Sequence, residues 1–221
     1  ILYDRKITSF LLMKSIELQN DEYDRFSKIV YLDDFNKSNL SNLKNWEQPL
    51  KYQSNSDVLR QTKGGPCGLF AVLDAHIVLK RNEPETASSS QEHLLYSLIL
   101  DIFKRVSTYS NSKESEKEVK YVFCDGFDPG RRFIHFQYTE SIDEAYAFLM
   151  QSNYTEAYNA CLMITISIIL ASLGINEDGN CAFQNVPENP YIYGDKMTSM
   201  ALVWLMLNGS TDSINLKMTE D

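Results

Sequence analysis

Gln61-Thr62-Lys63-Gly64-Gly65-Pro66-Cys67-Gly68-Leu69-Phe70-Ala71 is the stretch around which the rest of the chain is organised. A Gly-Gly-Pro run is a turn that feeds a helix N-terminus. From Cys67 onward, Leu69, Phe70, Val72, Leu73, His76, Ile77 and Leu79 recur at helical spacing, with no breaker before Pro84. The spacing therefore predicts a helix that starts at Cys67. A thiol nucleophile has two needs that such a place meets. Unpaired N–H groups and the macrodipole at a helix start favour the thiolate. Attack on an amide or thioester carbonyl then creates an oxyanion, which needs donors already in position. The backbone N–H of Cys67 is one natural donor, and the side-chain amide of Gln61 is another. Gly64 and Gly65 let a substrate backbone approach without a Cβ clash, and Pro66 needs no donor at a helix start. The same residues also suit an ordinary turn in front of a helix, and in that reading Cys67 is a buried, inert thiol.

The chain has 221 residues, 43% apolar and 12% aromatic, which is enough for one packed domain. Its formal net charge of -9 repels phosphate backbones, so no nucleic acid partner is expected. An acidic surface suits a basic protein partner instead. Cys67, Cys124, Cys161 and Cys181 form no C-x-x-C pair, and His76, His93 and His135 stand at no zinc-ligand spacing. These cysteines read as reduced thiols of a cytoplasmic or nuclear protein, with no metal or organic cofactor. The longest apolar stretch, Ala160 to Leu173, is shorter than the roughly 18–20 residues a membrane span needs, so no membrane association is expected. It reads as a buried core element, helix or strand.

Elsewhere the pattern predicts helices over Ile7–Leu18 and from Asp21 to Val30, a polar loop over Asn36–Asn45 and an extended segment over Trp46–Tyr52. Capping boxes at Ser89/Glu92 and Ser141/Glu144 open two further helices, the second ending near Met150. Tyr109–Glu118 reads as a surface loop, and Val119–Cys124 and Arg132–Tyr138 as strands. Gly174–Asp195 is a predicted loop, followed by a helix over Met197–Leu207 closed by Gly209. Helices first, then strands mixed with helices, predict the α+β class.

The string Gln61-x-x-Gly64-Gly65-Pro66-Cys67-Gly68 resembles the nucleophile motif of the MINDY deubiquitinases, in the branch whose motif is Q-x-x-G-G-P-C-G. Trp46 through Tyr52 is similar to that branch's W-x-Q-x-(apolar)-x-(aromatic) lead-in, and Leu205-x-Leu207-x-Gly209 to its helix end. The order of elements over Ile134–Ser172 also corresponds, so the resemblance covers about residues 46–216. It implies a papain-like cysteine protease fold and hydrolysis of isopeptide bonds in polyubiquitin, with preference for the proteasome-targeting linkage. It implies ubiquitin and polyubiquitin chains as partners, Cys67 as nucleophile and Gln61 as the oxyanion-hole glutamine. It divides the chain into an N-terminal extension, residues 1–45, and a catalytic domain, residues 46–221.

The family's general-base histidine lies in a strand after the helix that here ends near Gly209, and none of the three histidines matches it. His76 lies roughly two and a half turns along the helix from Cys67, out of reach of the thiol. His93 opens a predicted surface helix, and His135 sits in a predicted strand, where a plain strand role outweighs a catalytic one. A catalytic domain without its His-bearing strand is therefore expected. The alternative is a catalytically inactive, ubiquitin-binding relative that lacks the base.

Overall fold

Ala160–Leu173 contains no breaker and no charge, and it folds as a helix (α5) in which all 14 residues are buried. Its apolar side chains leave no face for water, so it can only be the centre of the domain. The computed structural model that shows this describes residues 13–31, 43–84, 86–110, 119–176, 180–183, 187, 190–192 and 197–210.

Around α5 are β1 (Lys14–Gln19), α1 (Asn20–Tyr31), α2 (Cys67–Arg81), α3 (Gln91–Ser110), β2 (Tyr121–Asp128), β3 (Phe133–Thr139), α4 (Ile142–Gln151) and α6 (Met200–Asn208). The three strands form an antiparallel sheet in the order β1-β3-β2, so the class is α+β. Helix α5 packs on β2 and α3, while α2 and α6 pack on each other and on α3. Strand β2 is buried over Tyr121–Cys124. Phe123 meets Phe103 edge-on at 5.4 Å and lies 4.5 Å from Phe148, centroid to centroid, which joins β2 to α3 and α4.

The antiparallel register runs from Tyr121↔Thr139 to Cys124↔Phe136 and then slips to Gly126↔His135. Asp125 is thus the extra residue of a β-bulge. The bulge is fixed from the core side. The Cys124 N–H donates to Ser167 Oγ at 2.7 Å, and the Cys124 carbonyl accepts from Tyr154 Oη at 2.5 Å. Full burial holds the Tyr154 phenol well above its usual range, so it stays a donor.

Three sequence expectations are corrected, at β1, at the cap of α3 and at the Ser141/Glu144 box. Lys14–Leu18, expected at the end of a helix, is strand β1, paired Lys14↔Tyr138 through Gln19↔Phe133. Its true period is two, with Leu18 buried, Ile16 half-buried and Ser15 and Glu17 exposed. The cap of α3 is Ser90 rather than Ser89, because the His93 N–H donates to Ser90 Oγ at 3.2 Å. Residues 7–12, 36–42, 111–118, 177–179, 184–186, 188–189 and 193–195 of the expected elements lie outside the described residues. Within 1–45, β1 belongs to the same sheet as β2, and Tyr191 and Ile192 donate their N–H groups to the carbonyls of Ile29 and Val30.

The Ser141 cap is present, accepting from the Glu144 N–H at 3.3 Å. The Glu144 carboxylate does not return to the Ser141 N–H, as a full box requires. It accepts from Thr139 Oγ1, which in turn accepts from the Ser141 N–H at 3.1 Å. Helix α6 ends on Gly209 in the left-handed region, φ 79°, with its N–H on the Leu205 carbonyl. A Cβ on Gly209 would stand 2.5 Å from the Arg105 carbonyl oxygen. Arg105 also donates from Nη1 to the Met206 and Leu207 carbonyls, so backbone and side chain of α3 both close on this helix end. Gly209→Ala is expected to cost about 3 kcal/mol, from the left-handed backbone and the clash together. Urea unfolding checks this through a lowered midpoint at unchanged slope.

Candidate active site

The loop before α2 is held by residues far from it in sequence. Gln48 is 1% exposed, and its amide serves both ends of the loop start. Its Nε2 donates to the Asn45 carbonyl at 2.8 Å and to the Lys63 carbonyl at 3.1 Å. Its Oε1 accepts from the N–H groups of Thr62 at 2.8 Å and Lys63 at 3.2 Å. The Lys63 ammonium is turned back onto the Lys44 and Glu47 carbonyls at 3.1 and 3.0 Å. The loop therefore lies against the Trp46–Tyr52 segment through polar contacts, with fully buried Trp46 anchoring that segment in the core.

The other anchor comes from just before α6. Thr198 Oγ1 donates to the Gly65 carbonyl at 3.0 Å and accepts from the Gly68 N–H at 3.1 Å. The Thr198 N–H also donates to the Gly65 carbonyl, at 3.2 Å. Helix α2 starts after Pro66 without a side-chain cap of its own. Thr198 therefore satisfies one of the orphan N–H groups at this helix start. The close approach needs glycine at 68. A Cβ there would lie 2.5 Å from Thr198 Cγ2 and 2.9 Å from Val203 Cγ2.

Cys67 is the first residue of α2 and is half-buried, with Sγ 3.8 Å from the Gly65 carbonyl. Cys124, Cys161 and Cys181 are buried. Burial pushes all three thiols up, Cys181 to about 12, with Glu22 adding to the effect at Cys181. Of the four thiols only Cys67 is both placed at a helix start and reachable from solvent. Gln61 is exposed, and its Nε2 donates to the Lys63 carbonyl at 2.8 Å. That carbonyl therefore receives two glutamine amides.

No histidine is hydrogen-bonded to Cys67 among the described residues. His76 Nδ1 contacts the Val72 carbonyl at 2.9 Å on its own helix. His93 is exposed and pairs with Tyr146 Oη at 2.5 Å. His135 has Nε2 on Ser15 Oγ at 2.6 Å and Nδ1 on the Asp125 carboxylate. Among the described residues no cluster of His, Cys, Asp and Glu suits a metal ion, and no helix is long and apolar enough to cross a membrane.

Gln48 and Thr198 are the residues that loop-centred reading passes over. Gln48 carried a signal, as the glutamine of the W-x-Q lead-in, which marks the residue without giving it a role. Thr198 carried none, because its role depends on a tertiary contact across 133 residues. Comparison with known protein families, with curated proteins and with solved structures finds no match.

Proposed function

We propose that this chain is the cysteine-bearing core of a thiol-dependent deubiquitinase of the MINDY type, with a papain-like arrangement and a cytoplasmic or nuclear place of action. The observation that carries the proposal is the contrast among the cysteines. Cys67 alone is half-exposed at a helix start, on a loop clamped from two sides, while the other three are buried. An inert structural thiol in this turn needs neither the exposure nor the clamp.

In the proposed reaction the Cys67 thiolate attacks the isopeptide carbonyl. The carbon–nitrogen bond breaks as the lysine amine takes a proton from water, and water then hydrolyses the thioester to free the carboxylate and the thiol. The Cys67 N–H and the Gln61 amide receive the oxyanion. Gln61 must leave the Lys63 carbonyl to do so, and that carbonyl keeps the Gln48 amide as its donor, so the swing leaves no group unpaired. Gln61→Ala is expected to slow reaction roughly a hundredfold, with ubiquitin affinity little changed. The assay is labelling of the chain by ubiquitin bearing a C-terminal electrophile, with the adduct located by mass spectrometry. An adduct on Cys67 supports the reading, and a folded chain that takes none overturns it.

A second reading, ubiquitin binding with no turnover, is favoured by the histidine positions. Both ring nitrogens of His135 are occupied by Ser15 and Asp125, and neither His76 nor His93 bonds to the thiol. Turnover of polyubiquitin separates the two readings.

A further inference from the structure

The open face of the sheet carries a hydrogen-bonded chain that the Cys67 chemistry does not use. Ser15 on β1 is exposed, and its hydroxyl meets His135 Nε2 at 2.6 Å. His135 Nδ1 is paired with Asp125 Oδ1, and Gln137 Nε2 donates to the other carboxylate oxygen, Asp125 Oδ2, at 2.6 Å. The two nitrogens are used in the sense that acyl transfer requires. One faces a hydroxyl, and the other is held by a carboxylate that fixes ring orientation and tautomer.

Two features of the sheet build this arrangement. The bulge turns Asp125 out of the ladder toward His135, and that bulge is tied to the core by Ser167 and Tyr154. Bulges re-aim side chains in this way. Gly126 then lets the His135 side chain leave the strand unhindered, since a Cβ there would meet His135 Cβ at 3.1 Å. The Phe133 ring lies parallel to the imidazole on the same strand, at an 11° interplanar angle and 6.5 Å between centroids. Glu17, opposite His135 on β1, is engaged by Gln19 Nε2 at 3.0 Å.

From this geometry we infer that Ser15, His135 and Asp125 form a second nucleophilic centre, one that acts on carboxylic esters with good leaving groups. Ser15 Oγ attacks the ester carbonyl while its proton passes to His135 Nε2. The carbon–oxygen bond to the leaving alcohol breaks, and that alcohol departs with the proton from His135. Water, deprotonated by the same nitrogen, then hydrolyses the Ser15 acyl ester and regenerates the hydroxyl. Asp125 is the positioning residue that acts through His135. Strand β1 is an edge of the sheet among the described residues, and the oxyanion would draw on the unpaired N–H groups of that edge.

The test is a fluorophosphonate, applied to the full chain with the adduct mapped by mass spectrometry. Its phosphorus bonds to Ser15 Oγ, fluoride leaves, and His135 takes the proton. The expected result is an adduct at Ser15 in preference to other exposed serines. It is absent in Ser15→Ala, whose exposed site leaves the fold intact, and slowed about a hundredfold in His135→Gln and in Asp125→Asn. Asp125→Asn should do this at an unchanged melting temperature, which a merely structural carboxylate would not. A folded parent chain without a Ser15 adduct overturns the inference whatever the variants do. So does an adduct that forms as fast in both variants as in the parent. Neither outcome bears on Cys67.

Discussion

In Cys67→Ala, hydrolysis of polyubiquitin is expected to fall to the uncatalysed background, while the thermal unfolding midpoint stays within about 2 °C of the parent. The stability half of this follows from what the thiol touches. Its hydrogen-bond contact is the Gly65 carbonyl at 3.8 Å, a weak donor at long range, and that carbonyl keeps two stronger donors from Thr198. The side chain is half-buried, so truncation to Ala leaves little void, and Ala is the better helix former. The activity half follows from the other three cysteines, whose buried, protonated thiols cannot substitute. Gel-based cleavage of the proteasome-targeting chain type, run beside calorimetry, measures both. Cleavage that survives in the Ala variant removes Cys67 from the mechanism. Cleavage by the parent chain should itself be weak, because no imidazole hydrogen-bonds to the thiol among the described residues. Robust parental cleavage lost in His135→Ala would make that residue the base, against its present partners Ser15 and Asp125.

The elements that the sequence made legible are those whose local chemistry and tertiary role agree. The start of α2 at Cys67 follows from Gly-Gly-Pro and the helical spacing after it, and Gly209 ends α6 in the left-handed conformation that its residue type suggests. Ala160–Leu173 was undecidable by periodicity, since a helix buried on every side has no polar face to set a period. Lys14–Leu18 reads as the end of a helix for a related reason. Ile16 follows Leu12 and Met13 at helical spacing, and its alternation with Leu18 on one strand face tells against a helix only once the pairing with β3 is known. At the site, Cys67 and Gln61 are visible because they sit in one short run. The clamp on that run comes from Gln48 and Thr198, and the His135 partners come from two other strands. Those contacts are decided by packing across the chain, which spacing along it does not encode.

Gln48→Leu is expected to lower stability by about 3 kcal/mol and to slow labelling of Cys67 by a ubiquitin electrophile at least as much as Gln61→Ala does. Leucine fills nearly the same buried volume, so the loss is polar. It strips partners from the Thr62 and Lys63 N–H groups and from the Asn45 carbonyl, and leaves the Lys63 carbonyl to Gln61 alone. Each group left unpaired costs roughly 1–3 kcal/mol when water cannot reach it. Thr62 and Lys63 are exposed, which moderates their share. The rate follows because Gln61 is then the last side-chain donor to the Lys63 carbonyl and can no longer leave without cost, and because a displacement near 1 Å at a nucleophile costs about a hundredfold. Gln48→Glu separates hydrogen bonding from space filling. A carboxylate keeps the acceptor for the two N–H groups but points its second oxygen at two carbonyls. Burial and these acceptors raise its folded-state pKa above the unfolded value, so the variant is destabilised at neutral pH and regains stability as pH falls through that raised value. Denaturant midpoints measured at neutral and mildly acidic pH read this directly. A Gln48→Glu chain whose stability relative to the parent does not improve on acidification would mean that Gln48 fills space and does not organise the loop.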